Sequence, residues 1–398
     1  MIKKINYADV FGENITFAAM KRSFADILTQ LDGDRAQKVA RKLPAWASAG
    51  IEIPSTLSLE QCSSSATASY KAGLAAAAAN QDKIGTVLDL TGGLGVDSWA
   101  FSQVAERVVY FEQNAELAAA VARNFAKLGA DNIEVRNETV TPETELPEAD
   151  LIYADPARRN AAGRKVFLLE DCTPDILTLL PMLLRKAPAV LLKLSPMADL
   201  AMLAERLGPA LREIHVVESD GEIKELLCLL LRDAEPAEPE IVLVRLSGQA
   251  ALPDPEACFR FKVTEERAAE ARFAAAVRPG DTLLEPSPAL LKAGAFKLPC
   301  CHWGLEKLAP STHLYLGEAV PWFKAWRVLE VLPFGAAAFK QLKRSYPRAE
   351  ITARNLPLGS DALRKKLGIA PGGDAHIFAC RLADGSSVLL TCTRGDAL

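Results

Sequence analysis

The fold is decided by the stretch Val-Leu-Asp-Leu-Thr-Gly-Gly-Leu-Gly-Val-Asp, which runs from Val87 to Asp97. A short apolar run ends at the carboxylate of Asp89, and a glycine-rich turn leads from it into a predicted helix. In a parallel α/β sheet such a turn opens a crevice for a nucleotide at the carboxyl end of the first strand. The stretch therefore predicts a doubly wound, Rossmann-like α/β fold that binds an adenosine-containing ligand.

Strand and helix patterns alternate from Thr86 to Arg232 and predict seven strands. Most are continuous apolar runs, as a sheet covered on both faces requires. The predicted strands are Val87–Leu90, Val108–Phe111, Ile133–Arg136, Leu151–Ala154, Val190–Leu194, Ile214–Val217 and Leu226–Leu231.

A turn signal, Ser219-Asp220-Gly221, separates the last two predicted strands. It is too short for a crossover helix, so we expect an antiparallel hairpin at the edge of the sheet. A seven-stranded sheet that ends in such a hairpin is typical of methyltransferases and not of dehydrogenases.

Polar residues around the glycine-rich turn suit S-adenosylmethionine. Asp89 is followed at alternate positions by Thr91, Gly93 and Gly95, and glycines let the backbone approach a ligand closely. Asp89 can accept the ammonium of a methionine moiety directly or through the loop. Glu112, 23 residues after Asp89, ends the second strand where a carboxylate can take both ribose hydroxyls.

Two other interpretations of this turn stay open, a dinucleotide site and a plain structural turn. A dinucleotide site requires Gly-x-Gly-x-x-Gly or Ala, but Ser98 stands at the last of these positions. A pyrophosphate is also disfavoured by the nearby carboxylate of Asp89. After the third strand, Glu138 stands where a carboxylate can hold the adenine amino group, which is weak evidence on its own.

The motifs Val87–Asp97, Glu112 and Asp150–Arg159 resemble those of class I S-adenosylmethionine-dependent methyltransferases over residues 80 to 233. The whole chain resembles a bacterial family of such methyltransferases with a C-terminal THUMP-like domain. That resemblance rests on Glu60–Ser65, on Glu285–Gly294 and on the tail from Val328. It implies a ferredoxin-like middle domain and an RNA-binding final domain, with tRNA or rRNA as the acceptor.

Asp155 is our main candidate for catalysis, and it is also expected to lie against the cofactor. It opens the segment Asp155-Pro156-Ala157-Arg158 after the fourth strand, whose side chains reach the methyl donor. Enzymes that methylate the exocyclic amines of bases resemble one another in Asp/Asn-Pro-Pro-aromatic there. Here the aromatic is absent, although Arg158 can stack on a base or bind a phosphate. Methylation of a base amine is the preferred interpretation.

A second interpretation is methylation of the ribose 2′-hydroxyl. Lys71, Asp155, Lys193 and Glu225 occupy places comparable with the Lys-Asp-Lys-Glu set in which ribose methyltransferases resemble one another. A lysine between carboxylates can help to deprotonate a hydroxyl. In the structural alternative, Lys71 is a solvated helix residue and Lys193 pairs with a neighbouring acid.

Four regions are predicted along the chain. Residues 1–80 form a helical region with apolar spacing at Phe24, Ile27, Leu28 and Leu31, which ends in a helix over Ala66–Ala79 capped by Ser64 or Ser65. The methyltransferase domain covers 81–235, and an acidic, proline-rich linker over 234–240 follows it. A ferredoxin-like domain over 241–327 and a THUMP-like domain over 328–398 complete the chain.

The charge of the tail favours an RNA partner. Leu329–Leu398 carries ten Lys and Arg against six Asp and Glu, whereas the chain as a whole has a net charge of −4. Two helices predicted over Ala336–Ser345 and Ser360–Leu367 hold clusters that can contact phosphates or form an ordinary solvated face. The candidate RNA-binding residues are Arg158, Lys340, Lys343, Arg344, Arg364, Lys365 and Lys366.

Trp322, Phe323 and Trp326 are expected in a domain core, although an exposed member of this group can stack on a base. The eight cysteines contain no Cys-x-x-Cys pair, so we predict no metal site. Without an apolar signal region or a membrane-spanning run, we expect a cytoplasmic enzyme. A small-molecule methyltransferase and an inert cofactor-binding module are the alternatives to an RNA enzyme.

Overall fold

The chain was analysed as a computed structural model that describes residues 33, 35–79, 83–158, 169, 172–233, 235–246 and 258–395. It divides into two compact units, Met1–Tyr153 and Ala154–Leu398. The predicted apolar spacing over Phe24–Leu31 lies outside the described residues. Within the described part of the chain, no helix combines the length and apolar character that a bilayer crossing needs.

The first unit has four parallel strands in the order β4-β1-β2-β3. All four coincide with predicted strands. The strands are β1 (Ile84–Asp89), β2 (Ala105–Phe111), β3 (Ile133–Arg136) and β4 (Leu151–Ala154). Residues 35–42 are helical, and the helices that follow are α1 (Pro44–Ala47), α2 (Thr56–Gln61), α3 (Ser65–Ala79), α4 (Val96–Ser102) and α5 (Ala115–Lys127).

Local signals explain two of these helices. At the start of α3 the Ser64 hydroxyl accepts the backbone N–H of Thr67 at 3.2 Å, which is the predicted cap. Asn114 caps α5 in the same way through Leu117. The apolar stripe of α5 packs Val121 and Phe125 against Tyr110 of β2.

The second unit begins with five strands in the order β11-β10-β8-β9-β7. The Asp220-Gly221 turn, with positive φ at both residues, joins β8 to β9 as the predicted antiparallel hairpin. The strands are β5 (Ala157–Arg158), β6 (Cys172–Thr173), β7 (Ala189–Leu194), β8 (Leu211–Ser219), β9 (Glu222–Leu231), β10 (Glu240–Leu246) and β11 (Cys258–Lys262), with helices α6 (Ile176–Lys186) and α7 (Leu200–Leu207).

One expectation for this region was wrong. The hairpin is not at the sheet edge, because β10 pairs in parallel with β8 and β11 pairs with β10. The segment after the acidic linker therefore continues the same set of strands. Buried β10 residues such as Val242 and Leu243 explain this, since they gain a covered position beside β8.

A second sheet has the order β13-β14-β12-β15-β18-β17-β16. Its long central strand β15 pairs with β12 and with β18, so the sheet crosses the predicted boundary between residues 327 and 328. The strands are β12 (Thr282–Pro286), β13 (Glu306–Lys307), β14 (Tyr315–Leu316), β15 (Phe323–Pro333), β16 (Glu350–Arg354), β17 (Ala375–Arg381) and β18 (Ser387–Arg394). The helices are α8 (Val263–Ala268), α9 (Pro288–Ala293), α10 (Leu298–Trp303), α11 (Ala336–Ser345) and α12 (Ser360–Leu367).

Helix α9 attaches the second sheet to the first strands of this unit. Its Ala289 N–H donates to the buried Glu218 carboxylate of β8 at 3.1 Å. Lys292 donates to the carbonyl of Ala198, in the loop after β7, at 2.7 Å. Both contacts come from the stretch Glu285–Gly294, which the sequence had singled out.

Glu213 of β8 provides a test of the strand arrangement, because it forms an ion pair with Arg260 of β11 across the intervening strand β10. It contacts the buried His215 ring at 2.8 Å and the Arg260 guanidinium of β11 at 3.0 Å. These hydrogen bonds, that of His215 first, lower the pKa of Glu213 from 4.5 to about 2. Because the folded pKa is depressed, the stabilisation is present above pH 4.5 and is lost as the pH falls toward 2.

We predict that Glu213→Gln lowers the free energy of unfolding by about 3 kcal/mol at pH 7. Guanidinium unfolding at pH 7, 4 and 3 should show the difference from the wild type shrinking as the pH falls. Glu205→Gln, an exposed change on α7, is the control and should have no effect at any pH. A difference that stays constant with pH would show that the charge of Glu213 does not stabilise its contacts with His215 and Arg260.

Candidate functional site

Asp89 braces the glycine-rich loop from the end of β1. Its carboxylate is buried and accepts the Ser98 hydroxyl at 2.5 Å and the backbone N–H of Thr91 at 3.1 Å. Hydrogen bonds to both sides of the loop hold the turn open between β1 and α4. The Asp89 carboxylate therefore shapes the loop.

Close packing explains the glycines of this loop. Gly95 has a φ of 81°, and a Cβ there would lie 2.6 Å from Phe125 Cζ. At Gly92 a Cβ would lie 2.0 Å from the Tyr110 ring. The Tyr110 hydroxyl also donates to the Gly93 carbonyl at 2.6 Å. Only glycine lets the loop rest on β2 and α5 in this way.

Glu112 stands beside the loop, at the end of β2. Its two carboxylate oxygens accept the backbone N–H groups of Gly93 at 3.0 Å and Asn114 at 2.8 Å. A carboxylate has about four lone-pair sites, so each oxygen can still accept one hydroxyl. This geometry suits a ribose diol.

Glu138 is exposed. Its neighbour Asn137 donates a hydrogen bond to the Glu112 carbonyl.

Asp97 is the centre of a buried network that the sequence did not predict. It accepts the hydroxyls of Ser63 and Tyr153, both at 2.8 Å, and its other oxygen lies 3.3 Å from Lys71 Nζ. Lys71 has no exposed side-chain surface, which excludes the alternative in which it is a solvated helix residue. The network joins α3, β4 and the segment before α3 to the first turn of α4.

Asp155 and Lys193 form an ion pair in the second unit. Lys193 is near the end of β7 and is 14% exposed, whereas Asp155 is 36% exposed. Lys193 pairs across the sheet with Leu227, and Glu225 lies two residues earlier on the same face of β9. Asp155, Lys193 and Glu225, three residues of the predicted Lys-Asp-Lys-Glu set, therefore belong to this unit. Lys71, the fourth, belongs to the first unit, where Asp97 is its partner.

The cationic residues of the tail lie on two helices that cover one sheet face. Leu342 of α11 and Leu363 of α12 belong to the same buried cluster. Arg364 is half-buried because it donates to the Ala349 carbonyl and to Glu350. Arg158 lies in β5, paired with Cys172 of β6. The exposed cations on the two helices are Lys340, Lys343, Arg344, Lys365 and Lys366.

Two family models match the second unit. One described as THUMP domain-like matches residues 323–394, and one described as a ferredoxin-like domain matches residues 283–323. No curated protein matches the chain.

A solved structure from Porphyromonas gingivalis W83, provisionally named as a methyltransferase, matches nearly the whole chain. The two sequences are 35% identical, the match covers 97% of this chain and 93% of that one, and the TM-score is 0.78. An rRNA methylase from Streptococcus thermophilus is 12% identical, with 40% of this chain and 94% of that chain covered and a TM-score of 0.30. A provisionally named Pseudomonas syringae methyltransferase is 18% identical, with 41% and 96% covered and a TM-score of 0.30.

We predict that Gly95→Ala destabilises the protein more than Gly129→Ala does. Both glycines have positive φ, but a Cβ at Gly129 meets no atom within 4 Å, whereas one at Gly95 overlaps Phe125 and Val121. Overpacking adds about 1 to 3 kcal/mol to the backbone cost that the two changes share. Equal shifts in the thermal unfolding midpoints would contradict the close packing of this loop.

Lys71→Met should lower the free energy of unfolding by about 3 to 5 kcal/mol, because it leaves the Asp97 carboxylate desolvated without its cation. Lys38→Met is the matched control. Its partner Glu60 and Lys38 itself are 55% and 50% exposed, and such a pair contributes at most about 1 kcal/mol. Denaturant unfolding measures both, and similar small losses would mean that the Lys71 pair is not structurally important.

Proposed function

This chain belongs to the same family as the Porphyromonas gingivalis protein, a family of class I S-adenosylmethionine-dependent methyltransferases with a C-terminal THUMP-like domain, and from this we propose that it methylates RNA. The observation that carries the proposal is the ion pair of Asp155 and Lys193. Asp155 lies directly after the fourth strand and is 36% exposed, so its carboxylate can contact an acceptor group, which a core residue could not do.

The proposed cofactor site consists of the glycine-rich loop and the carboxylates around it. When bound, S-adenosylmethionine supplies a methyl group on a positively charged sulfur. The fit is supported by Glu112, whose remaining lone pairs suit a ribose diol, and by the loop that Asp89 braces. The residues of the first unit proposed to hold it are Asp89, Thr91, Gly93, Gly95, Glu112 and Glu138.

The acceptor that we favour is an exocyclic amine of a base. Asp155 would accept one N–H of the amine and so orient the nitrogen lone pair toward the methyl group. As the nitrogen becomes positive during transfer, the carboxylate stabilises that charge. Alignment of the nitrogen, methyl and sulfur supplies much of the remaining rate.

A ribose 2′-hydroxyl is the second candidate, because of the contact between Lys193 and Asp155. In ribose methylation the acceptor oxygen becomes negatively charged, and the nearby Lys193 ammonium stabilises that charge. In amine methylation the acceptor nitrogen becomes positively charged, and the same ammonium does not stabilise it. The buried Glu225, diagonal to Lys193 across β7 and β9, adds the second carboxylate of the Lys-Asp-Lys-Glu set. Lys71 is not needed for this version of the mechanism.

RNA as the acceptor is supported by the THUMP-like match and by the five exposed cations on α11 and α12. Cations on adjacent helices can contact phosphates along a strand without reading its sequence. A cytoplasmic location is supported by the eight cysteines, all of which are free thiols.

The experiment is methyl transfer from tritiated S-adenosylmethionine to total RNA from a host that lacks this gene, followed by digestion to nucleosides. We expect label in RNA, and Asp155→Asn should lower the turnover by 100-fold or more. A base-methylated nucleoside supports the amine acceptor, and a ribose-methylated one supports the hydroxyl.

Lys193→Met distinguishes the two mechanisms further, since it should abolish ribose methylation and lower amine methylation only modestly. Lys224→Met, an exposed change on the same hairpin, is the control for a lost lysine. If calorimetry detects cofactor binding but no RNA is labelled, the RNA proposal is wrong and a small-molecule acceptor or an inert module replaces it.

A further inference from the structure

A polar and aromatic cluster lies on the second sheet, on the face opposite α11 and α12. The two helices pack on Ile377 of β17 and Leu389 of β18. Because successive side chains of a strand alternate between faces, His376 and Phe378 belong to the other face. Phe378 and its neighbours there form a separate buried cluster, against which Trp326 of β15 is packed.

The sheet curls around this cluster. Arg354 of β16 and Glu285 of β12 form an ion pair at 3.3 Å, although three strands separate β12 from β16. In a flat sheet these strands would lie about 19 Å apart, farther than the two side chains can reach together. The cluster face is therefore concave.

Three rings pack together in this concave face. The His376 ring is parallel to Phe378, with centroids 4.1 Å apart and 15° between the planes. The Trp326 ring lies 4.6 Å from His376 at an interplanar angle of 57°, and it meets Phe378 edge-on at 5.5 Å. Phe378 is fully buried, whereas Trp326 and His376 are half-buried, so the group of rings extends from the core to the surface. Burial lowers the pKa of His376, which keeps its ring neutral at pH 7.

Hydrogen-bonding groups surround the outer rings. Glu285 accepts the Trp326 Nε1–H at 3.3 Å, and Thr352 Oγ1 lies 2.8 Å from His376 Nε2. In the described part of the chain, Arg354 Nε is a buried donor with no hydrogen-bond partner. A buried donor in this state has lost its hydrogen bonds to water without a replacement, and a ligand that offers an acceptor would supply one.

Cations flank the cluster. Lys324 lies opposite Glu285 in the pairing of β12 with β15, and Arg394 lies opposite Trp326 in the pairing of β15 with β18. Both are exposed. Stackable rings between exposed cations are the combination that binds single-stranded nucleic acid, where bases stack and phosphates meet positive charge.

We propose that this concave face binds an unstacked base of single-stranded RNA. The base stacks on the outer rings, Trp326 and His376, and an acceptor on its edge receives the Arg354 Nε–H. Lys324 and Arg394 contact the flanking phosphates. The site rests on the proposed RNA acceptor, but it is distinct from the basic helices on the other face of the sheet.

The test is the affinity of the full-length protein for a fluorescent 12-nucleotide single-stranded RNA of mixed sequence, measured by anisotropy without S-adenosylmethionine. Trp326→Leu should weaken binding about tenfold, the scale of one lost base stack. Trp326→Phe loses the same hydrogen bond to Glu285 but keeps a ring, so it should bind within about twofold of the wild type. Circular dichroism checks that both variants fold.

Photo-crosslinking with 4-thiouridine RNA locates the contact independently. We expect cross-linked peptides that contain Trp326 or His376. Equal affinities of the two variants, cross-links confined to α11 and α12, or no binding of single-stranded RNA would each overturn the site. Because this assay involves no methyl transfer, RNA binding at Trp326 with no labelled product would refute the proposed function and leave the site intact.

Discussion

The carboxylate of Asp97, which is only 12% exposed, makes the interactions on which the first unit depends. It stands in the first turn of the helix after the glycine-rich loop and receives Ser63, Lys71 and Tyr153 from three other segments. A desolvated carboxylate tolerates few arrangements of its partners, because each missing donor leaves charge uncompensated. The segments that supply those donors are therefore held in register with the loop, and the loop in turn determines where Asp89 and Glu112 point.

The sequence predicted regular elements far better than it predicted their partners. All seven strands between Thr86 and Arg232 were found, because continuous apolar runs and the Asp220-Gly221 turn are local signals. The pairing of β10 with β8 was missed, since nothing in a strand's own residues specifies which buried edge it joins. For the same reason the partners of β15 were missed. This strand is long enough to pair with β12, from the predicted ferredoxin-like domain, and with β18, from the predicted THUMP-like domain.

The sequence pointed to the residues of the candidate site but to only some of the contacts between them. Asp89, Glu112 and the glycines follow a spacing that can be read directly, and Lys193 was correctly placed near an acid. The burial of Lys71 was missed because α3 is so rich in alanine that no apolar face shows which side of the helix is covered. Asp97 lay inside the stretch that decided the fold, but its three partners come from distant positions that spacing does not relate.

The hydrogen bonds that helix α9 makes with its neighbours determine where this chain can be divided. Lys292 holds the carbonyl of Ala198 only five residues after Lys193, and Ala289 holds Glu218 in the hairpin that also carries Glu225. A chain cut after β11 would leave a buried glutamate and a loop carbonyl without these donors. The part of the chain after β11 therefore also supports the loop after β7 and the β8–β9 hairpin, and another domain could replace it only if that loop and that hairpin changed with it.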